Sequence, residues 1–449
     1  MRLAPVALLL LACSPPPHAG GPTYHRDVAP ILASRCGDCH RDGPRAFTAT
    51  SSPAWASAML GAIDSGRMPP WQPGPASAPL KNPRAVTAEE RATLAAWAKD
   101  PVLGDPQDAP PAAGARFDGF GPPHVVPFAY GAFTAEETRC FLLPVPAGYV
   151  RAVRWRSDGQ GAIHHLASQL VSAAQAQRAR AQDGADGRPG WDCPGGAVES
   201  NGTFGGGTAW EGFAFPDGYG QEVAPGSSVV VSVHAMPHAA MKMALHVWYL
   251  PGRPHTMASA GMLAPSETPC PDGITHDPAN PCSREYASAH ALPGWADASA
   301  KIITDCGQTL DDVQRLPYGP GQRTFPIVGR CVATAQTSGR MFLVAVHAHP
   351  NAVSARLEIE ESGGAWTTLL DFPVWRWQWE STYELLQPIR VTAGQRVRLT
   401  CTYDNGTDHQ PSALSGDWTP EGPRLPPRYR LWAPKKDDSM CLATWGVLP

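Results

Sequence analysis

The chain has 449 residues, enough for roughly two to four domains, each with a core of its own. A net charge of -4 argues against a nucleic-acid partner and gives no pull toward an anionic membrane surface. With 49 prolines and 44 glycines, turns should be many, and helix-period stretches are confined to the first hundred residues.

Residues 1–13 read as an export signal: Arg2, an apolar run over 6–11, then Leu10-Leu11-Ala12-Cys13. That run is too short to span a membrane. Leu-Leu-Ala-Cys resembles a bacterial lipobox, in which Cys13 is lipidated and becomes the new N-terminus. The alternative is an ordinary signal peptide cut further on. Ser14 after the cysteine points toward the outer membrane. Residues 14–23, rich in Pro and Gly, form a tether.

Residues 24–104 form the helical part. Asp27 is placed to cap a helix that carries Val28, Ile31 and Leu32 on one face. The helix runs into Cys36-Gly-Asp-Cys39-His40, the C-x-x-C-H signature of c-type haem attachment. In that signature two thiols capture the haem vinyl groups and the histidine ligates iron. A disulfide or a zinc pair is the competing reading. Trp55, Met59, Leu60 and Ile63 recur at helical spacing until Gly66. Met68 follows in Met68-Pro69-Pro70-Trp71, where the prolines force extended backbone and could present the thioether to iron. Met59 competes for that role. A His/Met pair raises the haem potential and suits electron transfer. Thr87-Ala-Glu-Glu90 is a capping box opening a helix with Leu94 and Trp97. The region resembles small single-haem cytochrome c domains fused to bacterial enzymes. Residues 105–126, rich in Pro, Ala and Gly, read as a linker.

From about residue 127 the pattern is β-rich, and a first β domain is expected over 127–264. It contains His164-His165, adjacent on a strand, which must bend the strand or use different ring nitrogens to share one metal. A buried run over 227–233 then delivers His234, with His238 and His246 as rivals. Residues 244–250 and 258–262 read as closing strands of this domain. The second β domain, 265–449, begins with an insertion over 265–321 that holds Cys270, Cys282 and Cys306 and no strong period. Its centre is Met341-Phe-Leu-Val-Ala-Val-His347-Ala-His349-Pro350, an apolar strand ending in two histidines on one face. Neutral imidazole suits copper, zinc and iron. Downstream come Trp375, Trp377 and Trp379, then Cys401, and finally Met440-Cys441. The tryptophans could pack in the core or line a cleft.

In this order the ligand-type residues resemble the copper type II, ascorbate-dependent monooxygenases, the family of dopamine β-monooxygenase and the peptidylglycine hydroxylating enzyme. The family pattern is His-His, a lone His on a later strand, His-x-His, then Met followed by Cys. The matching positions are His164, His165, His234, His347, His349 and Met440, over roughly 129–449 without the insertion. The resemblance implies a mainly β chain: two jelly-roll-like β-sandwich copper domains, preceded here by a small all-α cytochrome c domain. It implies two copper ions facing each other across a wet cleft. One, on three imidazoles, stores an electron; the other, on two imidazoles and a thioether, meets O2 and attacks a C–H bond. One covalently bound haem c, on Cys36, Cys39 and His40 with Met68, would replace or relay an external donor such as an ascorbate-like reductant or a periplasmic redox protein.

The resemblance also implies Cys401–Cys441 and Cys140–Cys193 as disulfides. Cys270–Cys282 and Cys306–Cys331 are local guesses. Eight cysteines remain once Cys13, Cys36 and Cys39 are set aside, an even number that fits an exported chain. One departure stands out. Where peptidylglycine enzymes hold a substrate carboxylate with Arg and Tyr, this chain has Ala345 and Thr444. The expected substrate is therefore a small molecule without that carboxylate. The function expected is an exported, copper-dependent monooxygenase, periplasmic or anchored to the outer membrane through its lipid alone. The alternative is a non-catalytic haem/copper electron-transfer or copper-binding lipoprotein.

Overall fold

The computed structural model describes residues 20–40, 46–110, 117, 119–135, 137–159, 163–193, 203–207, 212–273, 275–314, 326–413, 418 and 422–449. For Asp38, Cys39, His164, His165 and 203–207 it describes the backbone alone. The expected signal with Cys13, most of the tether, residues 111–116 of the linker and 315–325 of the insertion region lie outside the described residues. The chain divides into two compact units, one of residues 1–69 and 84–113, the other of 70–83 and 114–449.

The first unit is helical. A π-helical turn, Tyr24–Val28, runs into α1 (Ala29–Arg35) and α2 (Gly37–His40); α3 (Ser52–Asp64) and α4 (Ala88–Trp97) follow. Val28, Ile31, Leu32, Ala56, Met59, Leu94 and Trp97 make its core. The capping box at α4 is present in both directions, Glu90 N–H to Thr87 Oγ1 at 3.2 Å and Thr87 N–H to Glu90 Oε2 at 2.8 Å. Arg35 donates to both oxygens of the same Glu90, which ties α1 to α4. Asp27 does not precede the helix as expected. It lies within the π-helical turn, where its carboxylate accepts the Thr23 N–H at 2.7 Å.

In the second unit, β1 (His124–Tyr130), β2 (Glu137–Pro144), β3 (Gly148–Ser157), β4 (Ile163–Val171), α5 (Ala173–Arg180), β5 (Trp191–Asp192), β6 (Thr203–Gly207), β7 (Gly212–Ala214), β8 (Tyr219–Val223), β9 (Ser228–Ala235), β10 (Met241–Leu250) and β11 (His255–Thr256) build a first sandwich. One sheet runs β1-β10-β3-β8-β11 with β7 paired to β3; the other runs β5-β2-β9-β4-β6. Phe128 and Tyr130 of β1 meet Phe141 of β2 between the sheets, with ring centroids 5.1 Å apart in both pairs. Every residue of β9 is buried: on the face turned from the other sheet, Val230 packs in a cluster with Ala176 and Ala179 of α5, and the His234 ring lies against Trp377.

β12 (Ala258–Leu263), α6 (Arg284–His290), α7 (Trp295–Asp305), α8 (Leu310–Gln314), β13 (Pro326–Thr334), β14 (Gly339–Ala348), β15 (Ala352–Glu360), β16 (Trp366–Phe372), β17 (Thr382–Val391), β18 (Arg396–Asp404) and β19 (Cys441–Leu448) complete the chain. Sheets β12-β19-β14-β17 and β13-β18-β15-β16 close over one core that includes Val344, Val346, Leu357, Leu399, Tyr403 and Trp445. Two sandwiches, antiparallel except for the β8–β11 pair, therefore make up most of the protein, as expected of a mainly β chain.

Three expectations of organisation are corrected. Residues 258–262 do not close the first sandwich: β12 pairs with β19, from Ala258 opposite Val447 to Leu263 opposite Leu442. Its Ala258, Ala260 and Met262 turn toward the second core, which its alternation fits equally well. The span 24–104 is not one helical body. Residues 70–83 run along the second sandwich, with backbone bonds from Gly74 N to Asp371 O, Ala78 N to Leu369 O, Lys81 N to Glu384 O and Leu386 N to Pro79 O. Proline keeps most of this strap extended, so its amides bond to strands, apart from one turn in which Ser77 N–H donates to Gly74 O at 3.0 Å. The insertion, read as lacking a period, holds α6, α7 and α8 around a buried carboxylate. Glu267 accepts from Arg284, Ser299 and Tyr429, the last two at 2.7 and 2.6 Å.

Candidate metal centres

β14 sends Val344, Val346 and Ala348 into the core, which leaves His347 and then His349 on the opposite face. Its partner β19 sets Leu442 opposite His347 and Cys441 opposite Ala348. The His349 N–H donates to Met440 O at 3.3 Å, which extends the register and sets Met440 opposite His349. Directly opposed residues in an antiparallel pair share a face at close range. His347, His349 and Met440 thus stand together on one face. The Met440 side chain is buried against Ile302 of α7 and Trp432. Cys441, which faces the core, is bonded to Cys401 of the opposing sheet.

Both rings are held from behind. His347 Nδ1 lies 2.6 Å from Glu380 Oε2, and His349 Nδ1 lies 3.0 Å from the Asp438 carbonyl oxygen. A carboxylate and a carbonyl only accept, so Nδ1 donates in each ring, and in the neutral form of either ring the lone pair is on Nε2. The rings meet edge to face with centroids 5.2 Å apart. Trp375 locks the backbone between them by donating Nε1–H to Ala348 O at 3.1 Å. Burial, and next to it the charge of His347, lowers the His349 pKa to about 3, so that ring is neutral at pH 7. Burial also disfavours charge on His347, but the charge and hydrogen bond of Glu380 outweigh it and raise its pKa. The Glu380 and Asp438 acceptors escaped sequence reading, since nothing local pairs them with a histidine.

In the first sandwich, His234 of β9 is opposite Thr138 on β2 and His165 on β4. The β4–β9 register slips between Ile163 and His165, so His164 is the extra residue of a β-bulge. A bulge bends its strand and re-aims side chains, the device that adjacent histidines need to turn to one point. The backbone thus gathers 164, 165 and 234; the side chains of His164 and His165 lie outside the description. The rivals fall elsewhere. His246 sits on β10 of the other sheet opposite Arg154, and exposed His238 has its Nδ1 2.8 Å from Ala239 O.

His234 and the second sandwich meet at Trp377. The Trp377 ring, in the core cluster of the second sandwich, lies 5.4 Å from the His234 ring. Lys436 Nζ stands 5.2 Å from the same indole, and the charge of His234 contributes to lowering His349. Trp375 and Trp377 therefore pack in the core, while Trp377 also borders the space between sandwiches.

In the helical unit, Cys36 is partly buried against the helical core, and His40 N–H bonds to Cys36 O at 2.9 Å. The His40 ring stacks on Phe47, with centroids 4.6 Å apart. Met68 is 45 % exposed, whereas its rival Met59 is buried in the core against which Cys36 packs. The Cys39 side chain is outside the description.

Among the described residues four disulfides are present, Cys140–Cys193, Cys270–Cys282, Cys306–Cys331 and Cys401–Cys441, all of them pairs expected from the sequence. They mark an oxidising compartment. Among the described residues no helix is long and apolar enough to cross a membrane, and no three His, Cys, Asp or Glu side chains are placed to hold a metal ion. The first set above needs His164 and His165, and the second needs a methionine.

No family model and no curated protein matches the chain. Solved structures with partial likeness include allantoicase from Saccharomyces cerevisiae, at 11% identity over 69% of this chain and 78% of that one, TM-score 0.16. PBCV-1 VP54 follows at 7% over 75% and 95%, TM-score 0.21, and a triple jelly-roll protein of an archaeal virus at 8% over 72% and 58%, TM-score 0.15. Likenesses this slight carry no argument about fold or function.

Proposed function

We propose that the protein is an exported copper-dependent monooxygenase that inserts one oxygen atom into a C–H bond of a small, uncharged organic substrate, with the balance R–H + O2 + 2 electrons + 2 protons giving R–OH + water. The observation that carries this reading is the pair His347 and His349, each fixed through Nδ1 by an oxygen acceptor, on the face that also bears Met440. Metal-binding histidines are typically held in this way, with the free lone pair on Nε2. Two imidazoles and a thioether suit Cu(I). His347, His349 and Met440 would hold one ion, and His164, His165 and His234 the other; bound there, copper supplies electron storage and oxygen activation. Glu380 keeps the His347 ring in its ligating tautomer, the Asp438 carbonyl does the same for His349, and the buried surroundings of His349 keep it uncharged.

Ala345 and Thr444 support the uncharged substrate. They are direct cross-strand partners on the same face, flanked by Thr382 on β17 and Gly261 on β12. That row offers neither a cation nor a phenol to a carboxylate. Electrons would enter through a c-type haem on Cys36, Cys39 and His40, with Met68 as second ligand; the C-x-x-C-H spacing, which begins with Cys36 at the end of α1, supports the attachment. Anchoring through a lipidated Cys13 belongs to the same proposal. The test is oxygen uptake by copper-loaded protein with a reductant, together with mass detection of a product one oxygen heavier. A product that appears only with a neutral C–H substrate supports the enzyme. Uptake indifferent to every substrate would favour the electron-carrier alternative.

A further inference from the structure

The strap formed by residues 70–83 does more than follow the edge of the second sandwich. Gln72 is only 7% exposed, and its amide reaches into the loop between β16 and β17. Gln72 Oε1 accepts the Arg376 N–H at 2.9 Å, and Gln72 Nε2 donates to the Trp379 carbonyl at 3.1 Å. The two bonds close that loop from both ends. Between them sits Trp377, the indole against His234, and just beyond sits Glu380, the carboxylate on His347 Nδ1. Trp71 lodges edge-on against Tyr383 at 5.5 Å, which fixes the strap beside the same loop.

We infer that Gln72 is a positioning residue for both candidate copper centres, acting through the loop that carries Trp377 and Glu380. This rests on the copper reading for its meaning and on the bonds alone for its geometry. A buried primary amide with donor and acceptor both used has one orientation, so it sets the loop rather than merely covering it. An Nδ1 partner that shifts by a few tenths of an ångström changes the direction in which Nε2 points. The strap thereby makes a segment outside both sandwiches part of the support of the site.

The test uses the full chain and three variants: Gln72→Ala, Gln72→Glu and Ser77→Ala. Ser77 bonds the strap to Asp371, away from the loop. The first readout is the His347 Nδ1–H resonance in metal-free protein labelled with 15N at histidine. The second is the Cu(II) dissociation constant from competition titration. Gln72→Ala should displace or broaden the His347 resonance and raise the dissociation constant about tenfold, within the range for outer-shell changes. Gln72→Glu keeps an acceptor for the Arg376 N–H but sets a second acceptor against the Trp379 carbonyl, so it too should displace the resonance. Ser77→Ala should leave both readouts at wild type. An unmoved His347 resonance in Gln72→Ala, or an equal displacement in Ser77→Ala, overturns the inference. Loss of folding in both Gln72 variants overturns it as well, since the amide would then be holding the fold and not the loop. Wild-type protein that binds no copper would defeat the copper reading, while the resonance would still decide the role of Gln72.

Discussion

Glu380 shows how much of the site depends on a residue that no motif contains. It is 33 positions from His347, and the Asp438 carbonyl is 89 from His349, so neither contact leaves a local trace. The His-x-His spacing itself is legible, because alternation along a strand is a property of the backbone. Met440 was legible only through a resemblance in order; its place opposite His349 comes from strand register. The predicted consequence is specific. Glu380→Ala should lower copper affinity at the His347 centre about 10- to 100-fold, while Glu380→Gln, which retains an acceptor oxygen, should lose less. Equilibrium competition for copper checks both, with unfolding midpoints as control. Equal affinity in Glu380→Ala and wild type would remove Glu380 from the site.

At the scale of elements, the bulge at His164 answers a difficulty posed by the sequence, since neighbouring strand residues point apart unless the strand breaks register. Deleting His164 would restore regular pairing between β4 and β9. Copper stoichiometry should then fall from two per chain to one, as read by metal analysis; retention of two would assign the first centre elsewhere. The short helices α5 to α8 were not legible, because their apolar positions are few. The Ser172–Gln175 capping box at α5 was the missed signal, with reciprocal bonds of 3.3 and 2.7 Å.

Behind β9, Arg139 of β2 is 1% exposed and donates to the carbonyls of Pro189, Arg188 and Gly190 and to both Asp186 oxygens. Arg139→Met should destabilise the protein by about 3 kcal/mol in denaturant unfolding, because it strands those acceptors. Arg139, and after it the Arg188 backbone N–H, holds the Asp186 carboxyl well below the usual carboxylate range. A depressed carboxylate pKa stabilises the fold above its unfolded value and loses that stabilisation as pH falls through the folded one. Wild type should therefore lose stability below about pH 4. Arg139→Met should show a shallower acid limb, and identical limbs would contradict the pairing.

Across the whole molecule, the mainly β architecture and the oxidising compartment were readable from the short β-rich runs and cysteine parity, which depend on no long-range contact. Assignment of β12 and of residues 70–83 was not, since a short alternating strand or a proline-rich segment fits any open edge. The Cys401–Cys441 bridge joins the two sheets of the second sandwich beside Met440 and spans 40 positions. Its removal in Cys401→Ser/Cys441→Ser should cost about 4 kcal/mol by loop entropy, measured by denaturant titration. No change would mean that the core alone holds the sheets.

The central claim is that one copper ion binds His347, His349 and Met440, and X-ray absorption at the copper edge of Cu(I)-loaded full-length protein tests it most directly. A sulfur scatterer should be present in the wild type and absent in Met440→Leu, with imidazole scattering retained in both. A wild-type spectrum without sulfur, or one that Met440→Leu leaves unchanged, would contradict it.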